Sequence, residues 1–345
     1  MQTTRVKELD ALRGLAALLV MWYHFTAFRP QASLGFTYGL TGVDLFFMIS
    51  GFVIFMSLSH VKNSLQFAVN RISRLYPTYW ACVSITFLAI TIHNHVDINQ
   101  TEVTTYLGNL TMFQFYMNLR DIDDSYWTLI IEMTFYITML ALFHFKKLNY
   151  LNVIALIAMS IVSIAGLCFF DNDIVKTILN KFQLLLYIPL FLAGIAFYKL
   201  HDQKEKPSQN YSILIACLTC QILSYFYSNR FNGAISITEY AIILIIYFGL
   251  FIAVIHHKLN FMVNPVTVYL GKISFATYLL HQAIATQILI PYLMNDLQLD
   301  FWTASLLLSM PIIILLATLV TYFIEIPLGR FMKQQLFAKY LKSLR

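Results

Sequence analysis

Apolar runs long enough to cross a bilayer recur along nearly the whole chain, separated by short polar connections. A bilayer's hydrocarbon core is ~30 Å thick and a helix rises ~1.5 Å per residue, so a span needs roughly 17–25 mostly apolar residues. Runs of that kind predict ten spans, at residues 11–28, 40–59, 76–94, 126–145, 150–170, 182–199, 210–228, 236–256, 268–293 and 303–325. No connection between them is long enough for a second folded domain. The pattern therefore reads as an all-α, polytopic transmembrane helix bundle forming a single domain over 1–345, with no appended soluble domain. Residues 103–117, in the longest connection, read as an interfacial or re-entrant helix. The stretch HDQKEKPSQN, 201–210, reads as a polar turn between a functional N-terminal half and a supporting C-terminal half.

Composition sharpens this picture. The chain is 59% hydrophobic and 12% charged, against ~25% charged in soluble domains. A net charge of +6 would suit nucleic acid only if it were gathered into a patch. Instead the basic residues recur between apolar runs, and no nucleic-acid partner is expected. Sixteen Lys and Arg fall on one set of alternating connections, those holding Arg5 and Lys7, Lys62, Arg71 and Arg74, Lys146 and Lys147, Lys199, Lys204 and Lys206, Lys258, and the tail 330–345. The opposite set holds five: Arg29, Arg120, Lys176, Lys181 and Arg230. By the positive-inside rule both termini are cytoplasmic, which agrees with an even number of spans. Glu8, Asp10 and Arg13 interrupt any secretory leader, so the first span is expected to be retained. Cys82, Cys168, Cys217 and Cys220 all lie in apolar runs and read as small buried hydrophobes; no metal is expected.

Candidate chemistry lies in polar groups at membrane depth. The run LDALRGLAALLVMWYHF, residues 9–25, carries Arg13 and His24. Eleven residues is about three helical turns, so both project from one face, roughly 16 Å apart. Ionisable groups on a membrane helix are costly and mark functional sites. With the first span running outward and the second and fourth inward, His24, Asp44 and Glu132 share one level near the outer surface. A carboxylate beside an imidazole fixes its tautomer and raises its basicity. Ser50 follows in FFMISGF, and Ser274, Tyr278 and His281 share one face of the ninth span. Arg71 and Arg74, one turn apart in NRISRLYPTYW, suit the phosphates of lipid or of a phosphorylated cofactor, with Pro77 opening the third span.

The blocks LDALRGLAALLVMWYHF, GVDLFFMISGF, RISRLYP, YWTLIIEMTFY, GKISFATYLLH and IEIP, in this order, resemble the acyltransferase-3 family of bacterial integral-membrane acyltransferases. The resemblance spans essentially the whole chain. It implies a membrane O-acyltransferase of the bacterial plasma (inner) membrane, passing a short acyl group, most often acetyl, from cytoplasmic acyl-CoA to a cell-surface or lipid-linked polysaccharide. It also implies that His24 is catalytic and that Arg13 is needed with it. On this reading Arg13, Arg71 and Arg74 hold the CoA phosphates, and His24 deprotonates an acceptor hydroxyl. Asp44 or Glu132 orients the ring, and Ser50, Tyr278 or His281 donates to the developing oxyanion. Tyr126, Trp127 and the acidic stretch 121–124 are expected near the outer rim, where they would meet sugar. The rival expectation is a transporter or exporter of glycan, using the intramembrane His, Asp and Glu as a proton relay.

Overall fold

The computed structural model describes residues 6–27, 29–30, 36–203, 207–228, 230–231 and 233–343, with side chains through 336. Arg5, Lys204, Lys206 and Arg345, which contribute to the charge asymmetry, lie outside the described residues. The helices in chain order are α1 (Lys7–Thr26), α2 (Gly42–Leu58), α3 (Ser64–His93), α4 (Gln100–Asn109), α5 (Trp127–His144), α6 (Leu151–Cys168) and α7 (Asp173–Lys181). There follow α8 (Leu184–Asp202), α9 (Pro207–Leu223), α10 (Ile237–Ile255), α11 (Pro265–Leu280), α12 (Ile290–Asn295), α13 (Met310–Val320) and α14 (Ile326–Ser343). No strand occurs among the described residues. The protein is an all-α, polytopic helix bundle.

Each of the ten expected segments falls on helix. Among the described residues seven helices are long and apolar enough to cross a membrane, or eight if one bent pair counts as a single span. α1, diluted by Asp10, Arg13 and His24, and α9, with 17 residues, fall short of that standard.

Three expectations are corrected. The third span begins at Ser64, where the Asn63 side chain accepts from the Gln66 N–H at 2.8 Å, and Pro77 lies inside the helix. Proline removes the donor that would take the Ser73 carbonyl, and Gly329 of α14 packs against that carbonyl, with room for no side chain: a Cβ would lie 2.8 Å from it. The ninth span is broken, with α11 and the helical segment Ile284–Asn295 bent by 60°. The re-entrant stretch 103–117 is two pieces, α4 and a single 3₁₀ turn, Gln114–Met117.

The chain divides into two compact units, each drawn from three separated segments. The first comprises Met1–Arg13, Thr41–Lys62 and Ile131–Pro265; the second comprises Gly14–Leu40, Asn63–Ile130 and Val266–Arg345. The boundary expected at 201–210 therefore falls inside the first unit, because packing joins segments remote in sequence. All four cysteines are free; Cys82 and Cys217 are buried as expected, whereas Cys168 is exposed.

In the first unit α2 and α8 cross with their backbones in contact. A Cβ on Gly51 would lie 2.1 Å from the Phe191 carbonyl oxygen, and one on Gly194 2.0 Å from that of Met48. Without water to drive apolar association in lipid, such close packing is what holds membrane helices together. Phe191 stacks on Phe135 at a centroid distance of 4.0 Å and meets Phe47 at 4.9 Å. Gly51→Ala is therefore expected to cost about 1–3 kcal/mol or more, since backbone must move to admit the methyl group. A thermal unfolding midpoint in detergent unchanged from wild type would contradict this.

In the second unit α1 and α11 approach through Gly14, where a Cβ would lie 2.7 Å from the Gly271 nitrogen. On α3, Tyr76, Tyr79 and Trp80 donate to the carbonyls of Thr111, Asn109 and Leu110 at 3.0, 2.8 and 2.9 Å. Buried Asn109 donates to the Thr105 and Arg120 carbonyls, both at 2.9 Å, and accepts from the Ile122 N–H at 3.1 Å. These bonds pin the long connection and fix where residues 123–126 arrive.

Candidate active site

His24 stands in the last turn of α1 and His281 immediately after α11. His24 Nδ1 lies 2.9 Å from His281 Nε2 and 3.0 Å from the Val20 carbonyl oxygen one turn back. The encounter follows from the glycine crossing. His24 is ten residues beyond Gly14 and His281 ten beyond Gly271, a rise of ~15 Å along each helix. Two helices in contact at the glycines and running the same way bring the imidazoles to one height.

The bend at His281 exposes backbone groups that in lipid must find partners. His281 Nδ1 donates to the Tyr278 carbonyl at 2.7 Å. The hydroxyl of Tyr126 donates to the Leu279 carbonyl at 3.2 Å, and Ser125 Oγ donates to that of Tyr278 at 3.3 Å. Beyond the bend the Ala283 N–H donates to Asp123 Oδ2 at 2.7 Å, and Arg29 Nη2 donates to the Thr286 carbonyl at 3.0 Å. Asp123 Oδ1 also accepts the Ser125 N–H at 2.8 Å. Burial pushes the Asp123 carboxyl up to about 6 against the pull of these donors, so at neutral pH it is the carboxylate that accepts both N–H groups. Asp123, Ser125 and Tyr126 are all buried. The rim contacts with sugar expected of Tyr126 and of the acidic stretch are corrected accordingly for Asp123 and Tyr126, which stabilise the break.

The structure gives the His24 ring a partner other than the carboxylate expected. Asp44, in the first turn of α2, forms an ion pair with Arg230 Nη1 in the first unit, the side chains 0% and 8% exposed. The Arg230 guanidinium also lies over the rings of Tyr187 and Phe231, at 5.5 and 5.0 Å. Glu132 Oε1 accepts from Ser50 Oγ at 2.8 Å and from the Tyr136 hydroxyl. The side chain hydrogen-bonded to the His24 ring is His281, not Asp44 or Glu132.

The groups expected as oxyanion donors have hydrogen-bond partners within the protein. A hydroxyl has one proton. That of Ser50 goes to Glu132, and that of Tyr278 goes to the Ser125 carbonyl at 2.9 Å, with Thr128 Oγ1 also at 2.8 Å. The N–H of His281 goes to Tyr278. Arg71, half-buried with its guanidinium over the Phe67 ring, and Arg74, exposed, stand one turn apart on α3. Arg13 is on α1, its Nη1 3.9 Å from Asp10.

Sequence reasoning missed Arg230, which it placed in a loop, and the residues 123–126 as partners of the break. For Arg230 the available signal was charge accounting: a buried Asp44 requires a cation.

A family model described as an acyltransferase domain matches residues 6–326. The chain belongs to the acyltransferase-3 family. A protein of Acidianus two-tailed virus named as an acetyltransferase is 24% identical over 293 residues, covering 81% of this chain and 84% of the viral one. Nodulation protein 10 of Rhizobium leguminosarum bv. viciae is 25% identical over 156 residues, covering 38% of this chain and 42% of the relative. No solved structure matches the chain. This acyltransferase is thus a multi-pass membrane protein.

Proposed function

We propose that this membrane acyltransferase moves a short acyl group, acetyl in the first instance, from acyl-CoA to a hydroxyl of a cell-surface or lipid-linked polysaccharide, with His24 as general base. The observation that carries the reading is the His24–His281 contact: an imidazole at membrane depth held by a second imidazole and a backbone carbonyl. An imidazole held in one orientation by two acceptors suits removal of a hydroxyl proton as the oxygen attacks the thioester carbon. Residues 1–345 act as one domain with both termini cytoplasmic, in a bacterial plasma membrane, and acyl-CoA is met from that side. Arg71 and Arg74 take the CoA phosphates, since two guanidinium forks one turn apart suit phosphate oxygens. The family pattern assigns acyl-CoA binding to Arg13 as well.

The test is labelled-acetyl transfer from acetyl-CoA by purified, reconstituted protein, with label recovered on polysaccharide. Arg71→Ala and Arg74→Ala are each expected to raise KM for acetyl-CoA by about 10–100-fold, the worth of a charge-assisted bond of ~1.5–3 kcal/mol, with kcat less affected. The 60° break at His281 is also a feature transporters use around a substrate. Glycan export by the reconstituted protein without CoA release would favour that reading over transfer.

A further inference from the structure

We propose that His281 is the positioning residue of acyl transfer, holding His24 in the tautomer protonated at Nδ1 so that His24 Nε2 alone exchanges protons with the substrates. This rests on the reading of His24 as the base and adds which nitrogen acts and what sets it.

The directions of the hydrogen bonds follow from which atoms can donate. A carbonyl oxygen only accepts, so His281 Nδ1, 2.7 Å from the Tyr278 oxygen, carries its proton. In a neutral imidazole the other nitrogen, Nε2, is then a lone pair. His24 Nδ1 faces that lone pair at 2.9 Å and the Val20 carbonyl at 3.0 Å. Both are acceptors, so His24 Nδ1 is the protonated nitrogen and donates to them as a shared bond. His24 Nε2 is left with its lone pair. The chain of cause begins at the helix break: the Tyr278 carbonyl at the end of α11 fixes His281, and His281 fixes His24. Asp123, Ser125 and Tyr126 hold the break itself.

One nitrogen then serves both halves of the reaction. The acceptor hydroxyl gives its proton to His24 Nε2 as its oxygen bonds to the thioester carbon. The tetrahedral intermediate collapses with cleavage of the carbon–sulfur bond, and Nε2–H returns the proton to the departing thiolate. The products are the ester and free CoA, and His24 is neutral again. Between the two steps the imidazolium is stabilised by the Val20 carbonyl and His281 Nε2. The His24 Nδ1 proton stays in the bond that these two acceptors share while Nε2 takes and returns the substrate proton.

The experiment compares His281→Leu, His281→Gln and His24→Ala in acetyl transfer from acetyl-CoA, with thermal midpoints measured alongside. Leucine has no acceptor for His24 Nδ1, whereas a glutamine amide oxygen reaches the place of Nε2. His281→Leu should lower kcat about 10²-fold, short of the ~10⁴-fold cost of a wrong tautomer, while KM for acetyl-CoA stays within about 3-fold. His281→Gln should recover to within about 10-fold of wild type. Nitrogen NMR of histidine-labelled wild-type protein should show an unprotonated Nε2 at His24, independently of whether either variant folds. Wild-type kcat in His281→Leu, a glutamine variant as slow as leucine at equal stability, or a protonated His24 Nε2 would each overturn the assignment. If His24→Ala keeps full transfer, the reading of His24 as base falls first; if only the His281 results fail, that reading stands.

Discussion

Alanine in place of His24 is expected to reduce acetyl transfer toward the upper end of the ~10²–10⁴-fold range that a general base contributes, with KM for acetyl-CoA nearly unchanged. The effect is large because a sugar hydroxyl is a poor nucleophile while it keeps its proton. It falls on kcat because the imidazole acts at the reacting hydroxyl and not on the CoA phosphates. The fold should survive. The Val20 carbonyl belongs to a helix that continues to Thr26, and the one group deprived of a partner is His281 Nε2. An unsatisfied buried acceptor costs about 1–3 kcal/mol, which a thermal midpoint would register without loss of the folded protein at assay temperature. Measured as labelled acetyl on polysaccharide, transfer at the wild-type rate in His24→Ala would remove His24 from the chemistry.

Asp44→Ala and Arg230→Ala should each destabilise the protein by about 3–5 kcal/mol, the largest stability losses expected of any single change outside the glycine crossings. Each leaves its partner as an uncompensated charge with almost no solvent contact. Removing both charges together, as in Asp44→Leu with Arg230→Met, should recover most of the loss, because a buried ion pair contributes little over an apolar pair of similar volume. The check is a double-mutant cycle on thermal unfolding in detergent. Strictly additive losses would mean that the two side chains do not depend on one another. The double variant also separates stability from chemistry: kcat close to wild type would confine Asp44 to holding Arg230, and kcat lost at full stability would restore the catalytic role that the sequence suggests.

Much of the architecture was legible because its cause is local. Bilayer-length apolar runs predict helix wherever ten such runs stand, and each is occupied by helix. The helical period alone places Arg13 and His24 on one face of α1, since phase depends only on sequence spacing. Cap chemistry is local as well, yet apolar runs alone miss it: Asn63, accepting from the Gln66 N–H, starts α3 well before Pro77. A glycine at 51 permits close approach, but which backbone approaches was decided by packing.

The partners were decided by tertiary structure. His24 meets a residue 257 positions away, Asp44 one 186 away and Ser50 one 82 away. Depth along a span can be counted from sequence, but the direction a side chain faces among several neighbouring helices cannot. Three acid–base groups at one height therefore suggested one cluster, where the fold distributes them among separate partners. The break at His281 has the same origin. The stretch YLLHQAI, 278–284, contains neither proline nor glycine to announce a bend. Its stability depends on a carboxylate, a serine, a tyrosine and an arginine brought from residues 123, 125, 126 and 29. By itself the sequence determined the helices, their membrane character and the histidine. Only the packing of distant segments decided which hydrogen bonds that histidine makes, because those bonds exist only once the helices are assembled.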